Sequence, residues 1–226
     1  MNQITKALLL EKDDKYRLFS QKLIPDTSLE IIGVRVPKIK QIVKQFANTE
    51  CAYNFTRENH KYYEEYFVHG LLIGTIKNDI QQVFKMLEDF LPHLDNWAIC
   101  DSTVANLKIF KKHKELTHKK ALDYLKFNNP YTVRFGVIIL LDYFLDDGFN
   151  ENVINALLNV KSEHYYVNMA IAWFISVALV KQYDTMIKYI ENKLFPKFVH
   201  NKAIQKAKES FRISSDVKVY LNTLKK

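Results

Sequence analysis

The chain has 226 residues with 33 Lys and Arg against 25 Asp and Glu, a net charge of +8 at pH 7, and this surplus favours an anionic partner or surface. Only 5 Gly and 5 Pro, an abundance of Leu, Ile, Lys, Phe and Tyr, and recurring apolar stripes at helical spacing mark an all-helical composition. The two cysteines, Cys51 and Cys100, have no metal-ligand neighbours, which argues against a disulfide framework and a zinc site, and no apolar run reaches the roughly 18 residues of a membrane span.

In chain order, residues 3–23 read as one or two helices, broken near Asp13 and Asp14 and ended by Ile24-Pro25-Asp26, where proline cannot continue the pattern. Ile32 to Pro37 is an extended turn, and Pro37 opens a helix to about Ala47. Asn54 to Asn59 reads as a loop, and helices follow over 60–75 and 79–91. Pro92 ends one helix and Asp95 caps the next, which runs from 96 to about 111. Lys111, Lys112 and Lys114 then stand at a helix C-terminus, where they complement the helix dipole or bind phosphate; both readings stay open. Asn128-Asn129-Pro130 separates a helix over 115–127 from one over 131–146, which Asp147-Gly148 ends. The remainder reads as helices over 151–160, 163–180, 183–194, 199–211 and 216–224. The loops between them are short, so neighbours pack antiparallel, and the expected fold is all-α: one HEAT-like repeat α-solenoid over 1–226, a curved stack of helix pairs. The start, Met1-Asn2-Gln3-Ile4-Thr5-Lys6, lacks the regions of a signal peptide, so a cytoplasmic location is expected.

Four six-residue stretches fit one template, with starts at Asn96, Arg134, Asn168 and Asn201 and steps of 38, 34 and 33 residues. The third place is Ala or Gly and the fourth Ile or Val. The steps match one two-helix solenoid unit. A small residue lets a neighbouring helix approach, and the aliphatic beside it packs inward, so the template marks the same helix in successive repeats. Stacking then turns each column into a stripe on one face. The sixth column holds Asp101, Ile139, Trp173 and Lys206.

Trp97 and Asp101 lie four apart, hence one turn apart on one helix face. An indole beside a carboxylate suits a cationic substrate, because the ring face attracts positive charge and the anion stabilises it further. The plain alternative is a core Trp and a solvated Asp. Trp173 shares the sixth column with Asp101, and Arg134 lies in the repeat between, so the four side chains fit one cleft. The histidines show no metal-ligand spacing. Tyr62-Tyr63 and Tyr165-Tyr166 either stack on nucleic acid or fill gaps between helices.

Five ordered blocks resemble the DNA alkylation repair enzymes, the AlkD-type glycosylases built from HEAT-like repeats: residues 32–40, 95–102, 131–135, 165–173 and 203–206 with Glu209-Ser210. In that family a Trp-x-x-x-Asp turn supplies an aromatic contact and the catalytic carboxylate, and the resemblance matches these to Trp97 and Asp101. It matches the cleft arginine to Arg134 and the second cleft tryptophan to Trp173. The resemblance implies an enzyme that removes positively charged N3- or N7-alkylated purines from duplex DNA and uses no metal or organic cofactor; because a cationic base leaves without a lysine nucleophile, a monofunctional glycosylase is expected, and a monomer with it. Arg35, Lys38, Arg134, Lys206 and Arg212 are the cations expected to border its DNA groove. The chain departs from the family at Phe135, Asn168 and Met169, where basic residues are frequent. A non-catalytic member that binds branched or distorted DNA, and a protein-binding scaffold, are the alternatives.

Overall fold

The computed structural model describes residues 2–146 and 148–226. Among these it forms fourteen α-helices, two short 3-10 helices and no β-strand, so the helical-repeat class read from the sequence holds. No described helix is long and apolar enough to cross a membrane. The chain divides into two compact units, Met1–His113 and Lys114–Lys226.

In the first unit, α1 (Gln3–Leu10) and α2 (Asp14–Leu23) are separated at Asp13, whose carboxylate caps α2 by accepting from the Tyr16 N–H. Then come α3 (Val36–Phe46), α4 (Glu50–Phe55), α5 (Tyr63–Ile73), α6 (Ile80–Phe90) and α7 (Trp97–Asn106). The odd-numbered helices form a series in which α1 packs on α3, α3 on α5 and α5 on α7. α5 is buried along its whole length and is the centre of this unit. Its polar residues therefore need internal partners. Glu65 accepts from the Lys61 and Tyr62 N–H groups at 2.9 Å each and from the Thr5 hydroxyl. Glu64, fully buried, accepts from three consecutive backbone N–H groups, of Ile32, Gly33 and Val34, at 2.9, 2.7 and 3.1 Å. That cradle needs Gly33, whose φ of 94° lies in the left-handed region and whose missing Cβ would sit 2.3 Å from the Asp13 carbonyl.

The second unit contains α8 (Lys114–Tyr124), α9 (Pro130–Tyr143), α10 (Glu151–Leu158), α11 (Tyr165–Lys181), α12 (Tyr183–Glu191), α13 (Lys197–Glu209) and α14 (Ser215–Thr223). α9, α11 and α13 pack in series, and α8, α12 and α14 flank α9, α11 and α13 respectively. The four template stretches thus fall in α7, α9, α11 and α13, one per repeat. In α9 the small residue acts as read: a Cβ on Gly136 would come within 2.8 Å of the Ala121 carbonyl of α8.

Three expectations need correction. Asn54 and Phe55 belong to α4, a six-residue helix capped by Thr49 and too short to show a period. The helix expected over 96–111 stops at Asn106, where Leu107 leaves helical geometry at ψ 60° and a 3-10 helix takes Lys108–Lys112. Lys111 and Lys112 therefore end a 3-10 turn rather than α7. The template is also out of register in its first copy. Asn96 is the N-cap of α7, whereas Arg134 and Asn201 are each the fifth residue of their helices. Counted alike, the column that holds Arg134 begins in α7 at Asp101, and its small and aliphatic places are Thr103 and Val104, both buried. The series then extends back to Gly70-Leu71 in α5. Gly70, Thr103, Gly136, Ala170 and Ala203 are spaced by 33, 33, 34 and 33 residues. Gly70 and Thr103 explain each other, since a Cβ on Gly70 would overlap the Thr103 hydroxyl at 2.0 Å. Asp147, half of the stop expected after α9, lies outside the described residues, as does Met1; α9 itself ends at Tyr143.

Candidate active site

The start of α7 is fixed by its polar neighbours before any function is considered. Asn96 caps the helix, accepting from the Ile99 N–H at 3.0 Å. Asp95, one residue earlier, accepts from the Thr27 hydroxyl at 2.8 Å, the Ser28 N–H at 2.8 Å and the Asn96 side-chain amide at 2.9 Å. These bonds tie the segment after α2 to α7. Trp97 adds a second tie, its indole N–H donating to the Leu23 carbonyl at 3.1 Å. Leu23 is the last residue of α2, so this bond also satisfies a carbonyl that the helix leaves open. Trp97 and Asp101 are both half-buried. The pair stands between the two plain alternatives: Trp97 is not a core residue, and Asp101 is not fully solvated.

Arg35 and Lys38, the two cations of this unit expected to border the DNA groove, are engaged with carboxylates. Arg35 donates to Asp13 with Nε and Nη2, at 3.1 and 2.9 Å, and its guanidinium stacks 4.9 Å from the Tyr16 ring centroid. The Arg35 guanidinium and the Tyr16 N–H hold the Asp13 carboxyl below its usual range, the backbone bond more strongly. Lys38 pairs with Glu11 at 3.2 Å. These cations are spent, at least in part, on holding α3 against the α1–α2 corner.

In the second unit, Arg134 is buried, with 5% of its surface exposed, and donates from Nη1 to the Tyr166 carbonyl at 2.6 Å. It joins α9 to the first turn of α11. Phe135 beside it is fully buried, so a basic residue has no place there in this chain. Asn168 is half-buried and donates to the Ser162 carbonyl at 3.0 Å. Trp173 is exposed on α11 at 37% of its surface, in contrast to Trp97. Lys206 is half-buried on α13, and Arg212 is exposed beyond its end.

Sequence reasoning singled out Tyr165 but missed Phe198, with which it forms an aromatic surface at the starts of α11 and α13. Tyr165 and Phe198 are exposed at 53% and 43%, and their rings lie 5.9 Å apart. Of the Tyr165-Tyr166 pair, only Tyr166 fills a gap, against Tyr131 and His164. The usable signal was the position of Tyr165 and Phe198 in the first turns of two template helices. What the sites can do chemically follows from their residue types. The α7 turn offers a positioned indole and carboxylate, suited to a cation, and α11 with α13 offer exposed rings, suited to stacking.

No curated protein matches the chain. A family model described as DNA alkylation repair enzyme matches residues 4–207, a span that takes in the five blocks up to Lys206, nearly all of the first unit and the second unit as far as α13. The match runs from the first helix into the last turn of α13 and covers far more than half of the chain: the chain belongs to the DNA alkylation repair enzymes.

Proposed function

We propose that the protein is a monofunctional DNA glycosylase that hydrolyses the N-glycosidic bond of N3- and N7-alkylated purines in duplex DNA. The observation that supports it most is the turn of α7, where Asp101 stands one turn after Trp97 and Trp97 is pinned to the end of α2. Alkylation makes the purine a cationic leaving group. The bond to the sugar then breaks with oxocarbenium character and needs little acid assistance, so one carboxylate suffices. Asp101 stabilises the sugar cation or orients the attacking water, and Trp97 packs on the deoxyribose and keeps bulk water out. In the second unit the exposed Trp173 offers a ring surface for contact with DNA. No lysine is required as a nucleophile. The reading places the protein in the cytoplasm as a monomer, on DNA when at work.

The experiment is incubation of the full chain with methylated duplex DNA and identification of the freed bases. Release of methylated purines supports the reading. Tight duplex binding without release favours a second reading, a non-catalytic DNA-binding member of the family. The burial of Arg134 speaks for that second reading, because it removes one cation from direct contact with a phosphate.

A further inference from the structure

A groove of about 720 Å³ in the first unit is lined by Lys40 and Lys44 of α3, Lys77 after α5, and Lys108 and Lys112 of the 3-10 helix after α7, with Asn106 between them. No carboxylate takes part in the lining. All five lysines are exposed, and among the described residues none forms an ion pair, unlike Lys12, Lys38, Lys61, Lys126 and Lys181. The plain explanation is dipole complementation, since α3, α5 and α7 all end here. Its magnitude is too small. Each helix C-terminus carries roughly half a negative charge, so three ends offset about 1.5 of the positive charges; even with Lys77 set aside, because it also lines a neighbouring groove with Glu50 and Asp79, more than two remain without a counter-charge. Lys40 and Lys44 moreover stand four apart on one helix, a spacing at which like charges repel. An arrangement that costs stability when empty of anions is suited to holding them.

We propose that this groove binds the phosphates of a nucleic acid strand, independently of sequence and of the lesion. Lysines on flexible stems are point charges that follow phosphates strung along a backbone, whereas a small anion calls for converging donors with fixed geometry, and the groove contains no arginine. It contains no exposed aromatic ring either, so bases are not read there. Its place fits: α7 carries Asp101 in its middle and leads directly into Lys108, and the five residues from Asp101 to Asn106 rise roughly 7–8 Å along the helix. The groove thus begins within a few phosphate spacings of the proposed catalytic carboxylate. This inference rests on the reading of the protein as a DNA enzyme and deepens it by naming a surface that takes the backbone.

The test is the salt dependence of binding to an undamaged, fluorescently labelled duplex. It compares the full-length wild type, a Lys44→Ala, Lys108→Ala, Lys112→Ala triple variant and the corresponding triple Arg variant, with thermal melts confirming that all three fold. Each phosphate contact contributes about 0.9 to the slope of log Kd against log salt concentration, so the Ala variant is expected to be shallower by about 2–3 and the Arg variant unchanged. An Ala variant with the wild-type slope overturns the proposal, as does a wild type whose binding does not respond to salt. Displacement of the duplex by millimolar pyrophosphate at constant ionic strength marks a small-anion site instead and also overturns it. Base release is read separately: a wild type that releases no base but shows the lysine-dependent slope keeps the groove and removes the glycosylase reading, and release with an unaltered slope in the Ala variant does the reverse.

Discussion

The start of α7, on one side, and the first half of α11 with the start of α13, on the other, carry similar residue types in opposite states. At α7 the tryptophan is half-buried and bonded to another helix, and the residues before it are tied to Thr27 and Ser28. At α11 and α13, Trp173, Tyr165 and Phe198 stand open to solvent. A group that must stabilise charge in a transition state gains from being held before the substrate arrives, because no reorganisation is then needed. A ring that only has to receive a sugar or base gains nothing from being fixed and can remain exposed. Under the proposed function, the contrast fits chemistry at α7 and contact at α11 and α13.

The comparison breaks most severely if the α7 side loses its scaffold. Glu64→Ala strands three buried N–H groups in the turn that follows α2 and is expected to cost roughly 3–5 kcal/mol, read as a fall in the urea midpoint. Unchanged stability would show that the turn is held otherwise. Acid tests the same unit. Burial, more than the nearby histidines, pushes His60 down to about 4 and His69 down to about 3, and the two rings share a hydrogen bond at 3.0 Å. In the unfolded chain both bind protons below about pH 6.5, while in the folded state they stay neutral until pH 4 or lower. Stability is therefore greatest above pH 6.5 and falls as the pH drops towards 4, by on the order of 3 kcal/mol for each histidine. Glu64, pushed up by burial against the pull of its three donors, works in the opposite direction and reduces the net fall. His69→Phe should flatten the profile; an unchanged profile would assign the acid sensitivity elsewhere.

Smaller effects sharpen the contrast. Trp173→Ala should weaken duplex affinity by roughly 1–3 kcal/mol with little change in melting temperature, since an exposed ring on α11 contributes contact rather than core. A large loss of stability would make it structural. Trp97→Phe keeps a ring but removes the donor to Leu23, and about 1 kcal/mol of stability should go with it. Turnover should drop with the loss of positioning, and a variant as active as the wild type would show that pinning the indole does not matter.

Most of the helices were legible because their ends carry strong local signals: the break at Asp13, Asn128-Asn129-Pro130 at the start of α9 and Pro37 in the first turn of α3, whereas the cap of α7 was expected at Asp95 and is Asn96. α4 was not legible, being too short for an apolar period. The repeat was visible but misregistered, because Asn96-Trp97-Ala98-Ile99 imitates Asn168-Met169-Ala170-Ile171 although Ala98 is only half-buried where Ala170 is fully buried. Thr103 escaped notice because its small size matters only opposite Gly70. Which cations are paired was beyond sequence reasoning. Arg35 and Asp13 lie 22 residues apart and Lys38 and Glu11 27 apart, and only the fold brings them together. The Lys40–Lys44 spacing was readable, but the meeting of α3, the end of α5 and the segment after α7 was not.

The central claim is that the charge of Asp101 drives base release. Its most direct test is the single-turnover rate of methylated purine release by Asp101→Asn and the wild type at saturating protein, so that affinity does not enter. Asparagine keeps the shape and one accepting oxygen but removes the negative charge. The account predicts a rate roughly 100- to 1000-fold lower with duplex affinity and melting temperature nearly unchanged. Equal rates in the two proteins would contradict it.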